Sequence, residues 1–103
     1  MIPLIEAHRD ALAALCRRFG VARLEVFGSA ADDSFGQDAS DLDFLVEFLP
    51  GQDIGPWLAH YFDLQAALAE LFGRPVDLVM AGALKNPFFI REVNRTRRLL
   101  YAA

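Results

Sequence analysis

Over the first twenty positions, apolar residues recur at the spacing of one helical face. Leu4, Ile5, His8, Leu12, Leu15, Cys16 and Phe19 fall on that face, Pro3 suits a first helical turn, and Gly20 suits the position just past the end. The pattern predicts one helix here. Arg23 to Phe27 then mixes β-branched, aromatic and apolar residues and predicts a short strand that ends at Gly28-Ser29. Ser29-Ala30-Ala31-Asp32 has the form of a capping box and predicts a short helix whose free N–H groups face back toward the strand end. Ser34 to Ser40 has turn residues and no period, so it reads as a loop. Asp41 to Phe48 predicts a second strand, stopped by Pro50-Gly51. Pro56 to Phe72 returns to helical spacing, with Leu58, Tyr61, Phe62, Leu64, Leu68, Leu71 and Phe72 near one face and Gly73 beyond the end. Arg74 to Met80 predicts a third strand, and Pro87 to about Arg98 a third long helix carrying Phe89, Ile90 and Val93 inward. Leu99 to Tyr101 fits either a helix end or a short strand.

This order predicts an α/β (α+β) fold, a small mixed β-sheet with helices packed on one face. The 103 residues suit one domain over 1–103, since a single core commonly takes about 100 to 200 residues. Composition sharpens the picture at two points. The hydrophobic fraction is 54% with nine Phe, and the mean hydropathy of +0.25 is high for so small a chain, so part of the apolar surface is expected to meet a partner. Cys16 is the only cysteine, which excludes an internal disulfide and a cysteine metal cluster and, on the apolar stripe, predicts a buried inert thiol. No apolar run approaches the ~18 residues of a membrane span and no basic leader precedes one, so a cytoplasmic location is expected.

Net charge is −4, unevenly distributed. From Ala31 to Met80 there are ten acids and one base, Arg74; from Ala81 onward there are five bases and one acid, Glu92. The middle of the chain is suited to cations, and its acidity argues against direct binding of nucleic acid. His8 and His60 sit on separate helices without ligand-spaced neighbours, so neither reads as a zinc ligand, and His60 is expected at the surface. Trp57, Phe62, Phe72, Phe88 and Phe89 read as core or partner-facing, because no basic groove interleaves them.

The acidic region contains the chemistry. In a strand, side chains alternate between faces, so Asp41 and Asp43 point one way while Leu42 and Phe44 point the other. Two carboxylates side by side repel unless a cation lies between them, and hard oxygen donors suit Mg²⁺. Gly28 lets the backbone turn sharply after the first strand, and Ser29 can cap the helix that begins there. Together these form a phosphate seat beside a metal seat.

The order Gly28-Ser29, then Asp41-x-Asp43, then Asp77 within Pro75-Val76-Asp77-Leu78-Val79 resembles the signature of the DNA polymerase beta-type nucleotidyltransferases. Length and layout resemble the minimal nucleotidyltransferases, or MNT proteins, of HEPN/MNT toxin–antitoxin pairs, over about Leu4 to Tyr101. The resemblance implies the polymerase beta-like nucleotidyltransferase fold. It implies Asp41, Asp43 and Asp77 as catalytic residues and as ligands of two Mg²⁺ ions, with Asp77 completing the metal site or taking the acceptor's proton. Gly28 and Ser29 would bind the nucleoside triphosphate, with ATP as substrate. The activity implied is Mg-dependent transfer of AMP to a hydroxyl of a partner protein, a HEPN-domain toxin that the MNT protein neutralises, within a homo- or hetero-oligomer. Lys85 and Arg91 would approach the triphosphate. The family commonly follows Gly-Ser with x-Ala-Arg-Gly, whereas this chain reads Ala30-Ala31-Asp32-Asp33. A carboxylate in place of the arginine points to an alternative, an antitoxin of the same fold that masks its partner by binding alone.

Overall fold

The computed structural model describes residues 3–28, 42–51, 55 and 58–103. Its elements run α1 (Pro3–Ala7), α2 (Arg9–Arg18), β1 (Val21–Phe27), β2 (Leu42–Phe48), α3 (Ala59–Phe72), β3 (Val76–Met80), a 3₁₀ turn (Ala81–Ala83), α4 (Pro87–Thr96) and β4 (Arg98–Ala102). The short helix expected from Ser29 and the loop 34–40 lie outside the described residues. The four strands form one sheet in the order β3-β2-β1-β4. β1 pairs antiparallel with β2 and with β4, and β2 pairs parallel with β3, so the sheet is mixed as expected. The Leu99 to Tyr101 segment is strand, inside β4.

The helix expected over the first twenty residues is divided at His8. In an unbroken α-helix the His8 N–H would donate to the Leu4 carbonyl, four residues back. The His8 ring takes that carbonyl instead, through Nδ1 at 2.8 Å, and the backbone N–H donates to Ile5 at 3.1 Å, a tighter 3₁₀-type bond. Leu12 then resumes the α-helical ladder onto His8 at 2.9 Å.

The sheet face packed by α1, α2 and α3 holds most of the core. Leu24 and Val26, Leu42, Phe44 and Val46, and Val76 and Leu78 alternate onto it from β1, β2 and β3, and meet Ile5, Leu12, Cys16, Leu64, Leu68 and Phe72. Burial of the Cys16 thiol pushes its pKa up to about 12, which makes it the inert thiol expected. His60 is half-buried rather than a surface residue. Its Nε2 donates to the Phe19 carbonyl at 2.5 Å and its ring lies between Phe19 and Phe48, which ties α3 to the end of α2.

β3 forms one edge of the sheet, where unpaired carbonyls invite unwanted strand pairing. Two side chains of α3 occupy them: Gln65 Nε2 donates to the Val76 carbonyl at 2.8 Å, and the Tyr61 hydroxyl donates to the Leu78 carbonyl. The opposite face of the sheet is covered only in part. Phe27 and Leu45 meet Val93 there, with Val79, Leu84 and Phe89 against them, so α4 lies across from the other three helices. The expected helical layer on one face is thus present, with a single helix added on the other. The last helix lies on this side because Phe89 and Val93 pack on the odd-numbered strand residues, the register that also carries the aspartates.

Candidate active site

β1 ends at Phe27, and Gly28 turns the chain with φ +76, a left-handed conformation that residues with a Cβ rarely adopt. Space imposes the same choice. A Cβ on Gly28 would stand 2.8 Å from Oδ2 of Asp43, so glycine is required both by the backbone and by the carboxylate beside it. Asp43 reaches that place through register: it pairs with Phe27 across β1–β2 and with Asp77 across β2–β3. Neighbouring strands are about 4.8 Å apart, so the two aspartates stand side by side on one face, the face of α4. Asp43 is half-buried and Asp77 exposed.

The structure therefore brings together Gly28, Asp43 and Asp77. Ser29, Asp32, Asp41 and Trp57 lie outside the described residues. Among the described residues no cluster of three metal-ligating side chains forms, and the acidic group consists of the Asp43–Asp77 pair. Paired carboxylates with a half-buried member are a hard, anionic donor set, which fits Mg²⁺ and does not fit a soft metal. Lys85 follows the 3₁₀ turn and is exposed; Arg91 lies on α4, exposed, with its guanidinium 6.0 Å from the Phe88 ring centre. Of the aromatic residues, Phe72 is core, Phe89 supports the α4 contact, and Phe62 and Phe88 are exposed at 53% and 75%.

Three residues that sequence reading passes over support this site. The Gly28 N–H donates to Thr96 Oγ1 at 2.9 Å, and that hydroxyl donates to the Glu92 carbonyl at 3.1 Å. Gly28 therefore contributes conformation and close approach to Asp43 rather than a free amide. Next to Thr96, Arg97 makes a forked contact with Glu25 of β1: Nε to Oε2 and the terminal nitrogen to Oε1, both at 2.6 Å. Arg23 reaches the same carboxylate at 3.1 Å, and Asn94 Oδ1 accepts from another Arg97 nitrogen at 2.7 Å. The Arg97 hydrogen bonds hold the Glu25 carboxyl below the usual carboxylate range, overcoming the opposing effect of its burial, and Glu25 in turn raises Arg97. A signal for Glu25 was present in the sequence: an acid in the apolar strand Leu24-Glu25-Val26-Phe27 violates strand preference and asks for a partner. Nothing local indicates that the partner is Arg97. Further along the sheet, burial and then the nearby negative charge of Asp77 raise the Tyr61 hydroxyl above its ordinary pKa.

The fold that carries this glycine turn and its paired carboxylates is shared with known proteins. The family model described as "Nucleotidyltransferase domain" matches residues 8–100. The chain belongs to the nucleotidyltransferase domain family. It is 35% identical over 90 residues to a candidate protein adenylyltransferase of Methanocaldococcus jannaschii, covering 87% of this chain and 84% of that protein. It is 39% identical over 83 residues to the protein adenylyltransferase MntA of Thermococcus cleftensis, covering 81% and 76%. Among solved structures, a candidate minimal nucleotidyltransferase superposes with TM-score 0.73 at 35% identity, covering 94% of this chain and 95% of that one. A complex of a tri-AMPylated Shewanella oneidensis HEPN toxin with its MNT antitoxin shares the fold at TM-score 0.65 and 18% identity, covering 95% and 72%.

Proposed function

We propose that this nucleotidyltransferase is a protein adenylyltransferase that moves AMP from ATP to a hydroxyl of a HEPN-type toxin and so acts as its antitoxin. The observation that carries the reading is the pairing of Asp43 with Asp77 beside the Gly28 turn. The relatives named as protein adenylyltransferases support the reaction class, and the AMPylated HEPN toxin seen with an MNT antitoxin supports the kind of acceptor.

In this reading Asp43, Asp77 and Asp41 would hold Mg²⁺, two ions in all. When bound, the metal supplies charge neutralisation at the triphosphate and activation of the acceptor hydroxyl. The chain's own residues position the reactants. Gly28 lets the turn lie close against Asp43, and the Ser29 hydroxyl binds the β and γ phosphates. A bond forms between the acceptor oxygen and the α phosphorus, the bond from that phosphorus to the bridging oxygen breaks, and pyrophosphate leaves. Asp77, exposed on the same face, takes the hydroxyl proton. The exposed apolar residues, Phe62 and Phe88 foremost, fit a chain that works against a protein partner.

Mixing the chain with a HEPN-domain partner protein, Mg²⁺ and ATP labelled at the α phosphate tests the reading. Label is expected on a partner hydroxyl, and Asp43→Asn is expected to abolish it. Unlabelled partner with the wild-type chain would refute the transfer. Asp32, standing where the family commonly has arginine, favours a second reading in which the fold masks its partner without chemistry. Titration of ATP with Mg²⁺ separates the two, because only the enzyme must bind the nucleotide.

A further inference from the structure

We infer that Thr96 is a positioning residue for the nucleotide seat, its hydroxyl fixing the Gly28 backbone against the end of α4; the inference rests on the transfer reading above. Thr96 is 3% exposed, and both roles of its hydroxyl are used. It accepts from the Gly28 N–H at 2.9 Å and donates to the Glu92 carbonyl at 3.1 Å. The Glu92 bond alone would satisfy a threonine in the last turn of a helix, as such back-bonds commonly do. The bond from Gly28 is the additional one, and it spans 68 residues of sequence.

The nature of Gly28 creates the need for it. Without a Cβ, and at φ +76, this residue has more conformational freedom than any other type would have there. Its position is nonetheless critical, because a carbon added to it would lie 2.8 Å from the Asp43 carboxylate. A small shift of the turn would change the distance between the phosphate seat that begins at Gly28 and the metal-binding carboxylate. The adjoining Arg97 grips Glu25, three residues before Gly28 on β1, at 2.6 Å. The end of α4 is thus fastened to the end of β1 at two successive residues, and the Thr96 bond acts on the turn itself. Valine would fill the same volume, so packing does not account for the hydroxyl.

The test uses the full chain with its partner. ATP binding in the presence of Mg²⁺, KM and kcat for transfer, and exchange of the Gly28 amide are compared in wild type, Thr96→Val and Thr96→Ser. Thr96→Val is expected to lose Gly28 amide protection and to weaken ATP binding and raise KM by about tenfold, the scale of one buried hydrogen bond. Thr96→Ser, which keeps the hydroxyl, is expected within about threefold of wild type. Should Thr96→Val not melt cooperatively, Thr96→Ala set against Thr96→Ser makes the same comparison. Wild-type ATP binding in Thr96→Val, or equal impairment in Thr96→Ser and Thr96→Val, overturns the inference while leaving the transfer reading standing. A wild-type chain that binds no ATP overturns the transfer reading, and this inference with it.

Discussion

The two faces of the sheet are built on different principles. On the face of α1, α2 and α3, apolar side chains from all four strands meet apolar side chains from three helices, and nearly all of them are buried. On the face of α4 the apolar contact is a small group around Phe27, Leu45 and Val93, and beyond it the attachment is polar: Glu25 with Arg97, and Gly28 with Thr96. The first face draws its energy from area removed from water, which is indifferent to direction. The second depends on a few oriented hydrogen bonds, which fix where a turn and a helix end stand relative to Asp43. A small chain can therefore keep stability on one face and geometry on the other. The Asp43–Asp77 pair sits on the face where geometry is set.

The largest effect that would break this contrast is on the apolar face. Phe44 is fully buried and stacks on Phe72 with ring centres 5.7 Å apart. Phe44→Ala is expected to cost about 3–5 kcal/mol in denaturant unfolding, a large part of a domain's total. A cost below about 1 kcal/mol would mean that this face is not the stabilising one.

Next in size is the polar clamp. Arg97→Ala removes both short bonds to a carboxylate that is only 5% exposed, leaving Arg23 as its remaining cation. Loss of one partner of a buried pair costs about 3–5 kcal/mol, but Arg97 itself is 36% exposed, so about 2–3 kcal/mol is expected. The pH dependence has a definite sign. Glu25 has a lowered pKa in the folded chain, so its contribution is present in full above the ordinary carboxylate value of 4.5 and is lost as pH falls through the folded value. Unfolding curves of wild type and Arg97→Ala should converge as the solution is acidified below about pH 4.5. Parallel curves through that range would assign the clamp's contribution to packing of the arginine stem.

The same contrast explains which parts of the molecule were legible in the sequence. The apolar face announces itself by period: Leu12 and Cys16, Leu64 and Leu68, and the alternation of Leu42, Phe44 and Val46 each repeat at the spacing of their element. The Gly28, Asp43 and Asp77 group was legible for a different reason: aspartate is a poor strand former, and the order Gly28-Ser29, Asp41-x-Asp43, Asp77 resembles a family signature. The clamp was not legible, because Glu25 and Arg97 are separated by 72 positions and Gly28 and Thr96 by 68, and a single polar pairing leaves no period. The division of the first helix escaped for a related reason. His8 fits the apolar spacing, and only its ring's capture of the Leu4 carbonyl diverts the backbone. β4 was ambiguous because its pattern is five residues long, too short to separate a strand from a helix end.

The smallest effect on stability, and the sharpest separation of the two faces, is expected at Asp77. It is exposed, it stands in register with Asp43, and its charge adds to the burial that raises Tyr61. Asp77→Asn removes one of two like charges and leaves size and shape unchanged, so unfolding free energy should move by less than about 0.5 kcal/mol, and in the stabilising direction if at all. The Tyr61 hydroxyl should titrate somewhat lower, while burial, the larger cause, keeps it raised. Nucleotide transfer to the partner should nonetheless be lost, since a carboxylate that binds metal or accepts a proton has no substitute in an amide. The result to look for is an unchanged melt, a downward shift of the Tyr61 titration by NMR and no labelled partner. A melt lowered as far as that of Phe44→Ala would mean that Asp77 belongs to the architecture rather than to the chemistry.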